Sequence, residues 1–158
     1  MKKIICFLLL SLLPQVSFAY AGEEYMADPG AEPADFRGIK WQQALIGLPD
    51  MVEQYREEDG SRITCRRKNE DLTFGSAELD NIEYIFVDGK LSMVAVVAKG
   101  DKNKAALLDS AHEMFGRETL LNGDDYMWRF TDVAIMFSPE PDDQSVLFYQ
   151  YIGFLKRR

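Results

Sequence analysis

One histidine, His112, and two cysteines, Cys6 and Cys65, are all the imidazole and thiol that the 158 residues contain. That scarcity excludes a structural zinc site, which takes four sulfur or nitrogen ligands. The chain also lacks His-Glu-x-x-His, the phosphate-cradling Gly-x-x-x-x-Gly-Lys and Gly-x-Ser-x-Gly. The fixed-spacing machinery of metalloproteases, P-loop enzymes and α/β-hydrolases is therefore missing. Positive charge is short as well: 18 Lys and Arg face 26 Asp and Glu, a net charge of −8. Binding nucleic acid needs a basic footprint for the phosphates, and binding anionic lipid needs a basic face; this balance argues against both. No apolar run reaches the roughly 20 residues that cross a bilayer.

What is present begins with an export pattern. Lys2 and Lys3 precede an apolar run from Ile4 to Leu13, Pro14 follows, and Ser17 and Ala19 place small residues where a signal peptidase reads. This predicts a signal peptide over 1–19, cut between Ala19 and Tyr20. Cys6 leaves with it, so Cys65 has no partner for an internal disulfide. It is then either a buried small hydrophobe or a thiol that pairs between chains. Both signal lysines leave too, and the remaining chain is two units more acidic. The expected location is periplasmic or secreted, with no stable membrane insertion once the signal is gone.

Residues 20–35 are acidic, carry two prolines and show no period, which reads as a flexible leader. A single α+β domain over 36–153 follows, and 154–158 is a basic tail. Gln42 to Leu48 suggests a short helical segment ended by Gly47 and Pro49, and Met51 to Tyr55 is extended. Arg62 to Arg67 alternates as a strand. Asn81 to Lys99 is a hairpin about Asp88-Gly89, the residue pair that favours a tight turn. Its second arm is apolar on both faces. Asp101 to Phe115 is the main helix, capped by Asp101 or Asn103 and ended by Gly116. At 100° per residue its stripe is Leu107, Leu108, Ala111, Met114 and Phe115. Tyr126–Phe130, Val133–Phe137 and Gln144–Ile152 are strands, with Ser138 to Asp143 an acidic loop. The expected architecture is an antiparallel sheet of five to six strands, packed by helix 101–115 and the short N-terminal helical segment.

The remaining reactive groups are few. His112 sits at the edge of the helix stripe, where it reads as a boundary residue. A Cys65–His112 nucleophilic pair has no orienting third group. Asp124-Asp125, Asp142-Asp143 and Glu57-Glu58-Asp59 are acidic clusters without the Asp-x-Asp-x-Asp-Gly spacing of a calcium loop. Arg66-Arg67-Lys68 reads as a charged edge strand. Aromatic residues supply the candidate binding surface: Tyr126, Trp128, Phe130, Tyr149 and Tyr151. Both sheet faces are apolar while only one long helix is available to cover them, so one face is left for the Phe36–Trp41 segment, a partner or a ligand.

Phe36 to Trp41 (Phe-Arg-Gly-Ile-Lys-Trp), the hairpin residues Ile82, Tyr84, Phe86, Gly89, Lys90 and Leu91, the Phe115-Gly116 helix end and Trp128 occur in an order that resembles a family of uncharacterised exported bacterial proteins. Their opening is Phe-x-Gly-Ile-x-Trp-Gly; this chain departs from it at Gln42. The layout also resembles the β-lactamase-inhibitor-protein-like fold, which implies binding rather than catalysis. The expectation is an exported protein that is not an enzyme, uses no cofactor or metal, and binds another protein of the envelope. The alternatives are a carrier of a small apolar ligand held between helix and sheet, and a hydrolase built on carboxylates.

Overall fold

Asp88 and Gly89 both take left-handed conformations, with φ of 49° and 72°. That turn matches the right-handed twist of the strands it joins, and the sheet grows outward from it. The computed structural model describes residues 30–153 together with the backbone of Glu23–Glu24. The expected signal peptide, its Ala19–Tyr20 cleavage point and the tail 154–158 lie outside the described residues. In chain order the strands are β1 (Glu23–Glu24), β2 (Asp35–Phe36), β3 (Ile39–Lys40), β4 (Met51–Arg56), β5 (Arg62–Arg67) and β6 (Thr73–Phe74). Then come β7 (Ala77–Val87), β8 (Lys90–Lys99), β9 (Leu120–Asn122), β10 (Asp125–Arg129), β11 (Val133–Glu140) and β12 (Gln144–Tyr151). One helix, α1 (Asp101–Phe115), separates β8 from β9.

The main sheet runs β1-β9-β10-β11-β12-β8-β7-β5-β4, with β6 paired to β7 off that row and β2–β3 forming a separate hairpin. Two antiparallel meanders build it, and their last strands meet in the middle, with Ala95 opposite Phe148. The α+β class and the antiparallel sheet are as expected; the strand count is larger. β4 is exposed along nearly its whole length, so it lacks the one-sided apolar alternation that marks a strand. β9 has three residues, too few to alternate.

The expected N-terminal helical segment is absent. A single 3-10 turn, Leu45–Gly47, stands in its place. The reason lies in where the backbone hydrogen bonds go. Gln42 N–H donates to Leu91 O (2.9 Å), Leu91 N–H to Gln43 O (3.0 Å) and Leu45 N–H to Gly89 O (2.9 Å). These groups serve the β7–β8 hairpin and are lost to a helix. Gln42 also has φ 65°, a conformation that glycine adopts without cost.

Helix α1 has the expected limits, but neither expected cap. Its N-cap is Gly100, with no side-chain hydrogen bond. The Asn103 amide instead ties two strands to the helix: Nδ2 donates to Lys99 O (3.1 Å) and Oδ1 accepts from Glu78 N–H (3.1 Å). Gly116 ends the helix with φ 75°. Leu107, Ala111 and Phe115 are buried as expected, but Met114 faces solvent and Ser110 is buried in its stead. The helix meets the turn between β6 and β7 there through small groups. A Cβ at Gly75 would lie 2.1 Å from Ser110 Oγ.

The leader is a fixed part of the fold at its end. Gly30 N–H donates to Phe115 O, and the Glu32 carboxylate accepts from the N–H groups of Asp132 and Val133. Earlier, Glu23–Glu24 pairs with β9. Residues 30–35, expected within the leader, are thus hydrogen-bonded to the domain. Their acidity had a specific use, since Glu32 satisfies two turn donors.

Candidate functional site

The sheet has two apolar faces, and strand alternation decides which residues share one. Helix α1 and the β2–β3 hairpin both lie on one of them. Phe115 meets Trp128, Phe130 and Tyr149 with ring centroids 6.0–6.1 Å apart. Phe36 meets Tyr149 at 5.1 Å and Tyr84 at 5.8 Å. All five residues of the expected aromatic surface belong to this covered face. Trp128 is 0 % and Tyr149 2 % exposed. Tyr126, Phe130 and Tyr151 are half-buried at its margins. The assignment of Trp128 and Tyr149 to a binding surface is thus corrected: they are core. Burial holds the Tyr149 phenol far above its ordinary pKa.

The opposite face carries a different set. Leu120, Met127, Met136, Phe148, Ala95 and Glu83 stand side by side from β9 to β7. Val146 and Val97 flank this row on one side; Ala134, Met93 and Ile85 flank it on the other. Leu120, Met136, Phe148, Val146 and Met93 are half-buried, and the residues between them are buried. The ring contacts of α1 and of the β2–β3 hairpin fall on the other face, while Ile85, Ala95 and Val97 on this one are 0 %, 2 % and 3 % exposed. Its rim is charged. Arg66 pairs with Glu83 (3.5 Å), which also accepts from Asn81 Nδ2 (2.8 Å). At the other end, burial and then the neighbouring Asp125 raise the Glu140 carboxyl above its usual range. Leu120, Asn122, Asp125, Met127 and Met136 line a narrow crevice beside it.

The face was legible in part. Val146 and Phe148 alternate against Leu147 and Tyr149, so two apolar faces were expected. Nothing in the alternation says which the helix takes. Side-chain size is the missing signal, because a helix stands off a sheet and large rings fill the gap. The helix face has the rings of Trp128, Tyr149 and Phe137, where the outer face mixes Phe148 and the flexible Met93, Met127 and Met136 with the small Ala95, Val97 and Ala134.

The reactive groups remain scattered. His112 Nε2 lies 3.0 Å from Glu118 Oε2, and its ring stands edge-on to Tyr126 and Trp128. It is a boundary residue of α1. Cys65 is on β5, in the core cluster with Tyr84, its cross-strand partner. Asp142 and Asp143 form the left-handed turn between β11 and β12, and Ser61 ties Asp59 and Glu57 together. Arg66 and Arg67 part company, the second donating to Arg37 O (3.2 Å). Among the described residues, no three His, Cys, Asp or Glu side chains are placed to hold a metal ion.

The buried cysteine gives a direct check. Cys65 is 1 % exposed, and burial, with Glu53 second, pushes its thiol up to about 11. The thiolate is the reactive form. A thiol reagent at neutral pH is therefore expected to label native protein only as fast as the chain opens, and unfolded protein at once. The raised value has a sign for stability too. The unfolded thiol ionises first, so this residue costs stability as pH rises past 9 toward 11. Rapid labelling of the native chain would contradict the burial.

No family model, no curated protein and no solved structure matches the chain.

Proposed function

We propose that this is an exported, non-enzymatic binding protein of the bacterial envelope, and that the outer sheet face receives another protein. One observation carries the reading: an apolar band crosses the sheet from Leu120 to Ile85 while both described covering layers lie on the other side. Met93, Met127 and Met136 suit such a surface, because the thioether is flexible and moulds to a partner. Asp125 and Glu140 at one end favour a partner with basic groups on its rim. The likeness to β-lactamase-inhibitor-protein-like domains implies binding as well. The carrier reading has less support, since a small ligand between helix and sheet would have to displace the rings of Trp128, Phe115 and Tyr149.

Phe148→Glu tests the reading in protein purified from the envelope of its host. If the face meets solvent or a separable partner, the isolated variant loses about 1 kcal/mol or less on denaturant unfolding. A photo-cross-linker at position 136 then gives discrete protein adducts in the envelope that Phe148→Glu abolishes, and one at the exposed Leu72 gives none of them. A loss of several kcal/mol would show that the chain's own residues cover the face. Adducts that survive Phe148→Glu would show that binding is elsewhere. Either result defeats the reading.

A further inference from the structure

We propose that Asn122 is a site of self-modification, at which the side-chain amide is lost through a cyclic imide formed with the Gly123 nitrogen. The chemistry is complete with water alone. The backbone nitrogen of Gly123 attacks Asn122 Cγ, and the C–N bond to the side-chain amide breaks, releasing ammonia. Water then opens the five-membered imide at either carbonyl. The products are aspartate and isoaspartate, and nothing is oxidised or reduced.

The structure singles out this residue among the four asparagines of the chain. Ring closure brings the next residue's nitrogen onto Cγ, and any side chain on that next residue crowds the approach. Asn69, Asn81 and Asn103 precede Glu70, Ile82 and Lys104; only Asn122 precedes glycine. A Cβ built at Gly123 meets nothing within 4 Å, so the space beside the attacking nitrogen is open. Asn122, Gly123 and Asp124 are all exposed, which lets water reach the imide. The other amides are held. Asn81 is buried and donates to Glu83 (2.8 Å), and both ends of the Asn103 amide are engaged. Asn69 is exposed but carries Glu70 next in the chain.

The position gives the change a consequence. Asn122 is the Cα partner of Asp125 at the end of a three-residue strand. A new carboxylate there faces Asp125 and adds to Asp124 beside it, and like charges directly opposite destabilise a strand pair. Isoaspartate also lengthens the backbone by one carbon and breaks the β9–β10 register. Asn122 lines the crevice at the rim of the outer face, so the same event alters that rim.

The test is to incubate the full chain at mildly alkaline pH and follow it by tryptic mapping. Asn122 is the sole asparagine in the peptide 118–129, and a synthetic peptide of that sequence serves as the clock. The expected result is conversion of this peptide into two products of acid mass, one a substrate for isoaspartyl methyltransferase. It should outpace the other three asparagines by an order of magnitude or more. Asn122→Gln should abolish the isoaspartyl signal. A folded chain that keeps its amide while the free peptide loses it would overturn the proposal, as would equal rates at Asn69.

Discussion

Trp128→Ala is expected to destabilise the protein by about 3–5 kcal/mol. Trp128 is fully buried on β10, and three separate contacts depend on it. Its indole Nε1 donates to Gly116 O (2.9 Å), which fixes the end of α1 to the sheet. Its ring stands edge-on to Phe115 (6.0 Å) and to His112 (5.3 Å). Alanine leaves a cavity and strips the half-buried Gly116 carbonyl of its partner, and that lost hydrogen bond adds to the cavity cost. Domains of this kind have only about 5–15 kcal/mol in hand, so the variant should show a much lower urea midpoint at an unchanged slope. Trp128→Phe separates the two contributions. It keeps most of the volume and loses the hydrogen bond, and should cost about 1–2 kcal/mol. A loss below about 1 kcal/mol for the alanine variant would mean that the helix does not end over β10.

Trp128 also shows how far the sequence could be read. Alternation placed it with Tyr126 and Phe130 on one face of a strand, and the structure has them so. It could not say that α1 covers that face rather than the one bearing Met127. The same division holds elsewhere. Arg62–Arg67 and Asp101–Phe115 have the limits their patterns predict, because each is set by local chemistry: alternation in the strand, glycine at the helix end. Met51 to Tyr55 is extended as its pattern predicts, but its place in the sheet, like the turn at Leu45–Gly47, is fixed by residues far off in sequence. Gln42 and Gln43 lie against Leu91, and Val52 lies opposite Arg66. The candidate site failed for a related reason. Both faces of β8 and β12 are apolar, and a pattern that is apolar everywhere does not say which side is covered.

The hairpin β2–β3 rests on a contact of that distant kind, and Glu70→Ala should expose it. Phe36 and Ile39 bring the hairpin's apolar side into the core. On its other side, Arg37 Nη1 donates to Glu70 Oε1 (2.7 Å), and the guanidinium also donates to the carbonyls of Asp71 and Thr73. The second Glu70 oxygen accepts from the buried Tyr84 hydroxyl (2.7 Å). Burial first, and this hydrogen bond second, hold that phenol in its protonated form. Arg37 has φ 52°, an unfavourable conformation for a residue with a side chain, and its grip on the 70–73 loop offsets that strain. Glu70→Ala removes an acceptor from a hydroxyl that water cannot reach and leaves a partly buried cation unpaired. The expected cost is about 2–4 kcal/mol. Arg37→Ala in the Glu70→Ala background should then add much less than it does alone, a coupling of about 1–3 kcal/mol in a double-mutant cycle. Amide exchange should report where the loss falls: residues 36–41 open before β7 and β8. Independent, additive effects of the two substitutions would show that the hairpin is held by Phe36 and Ile39 alone.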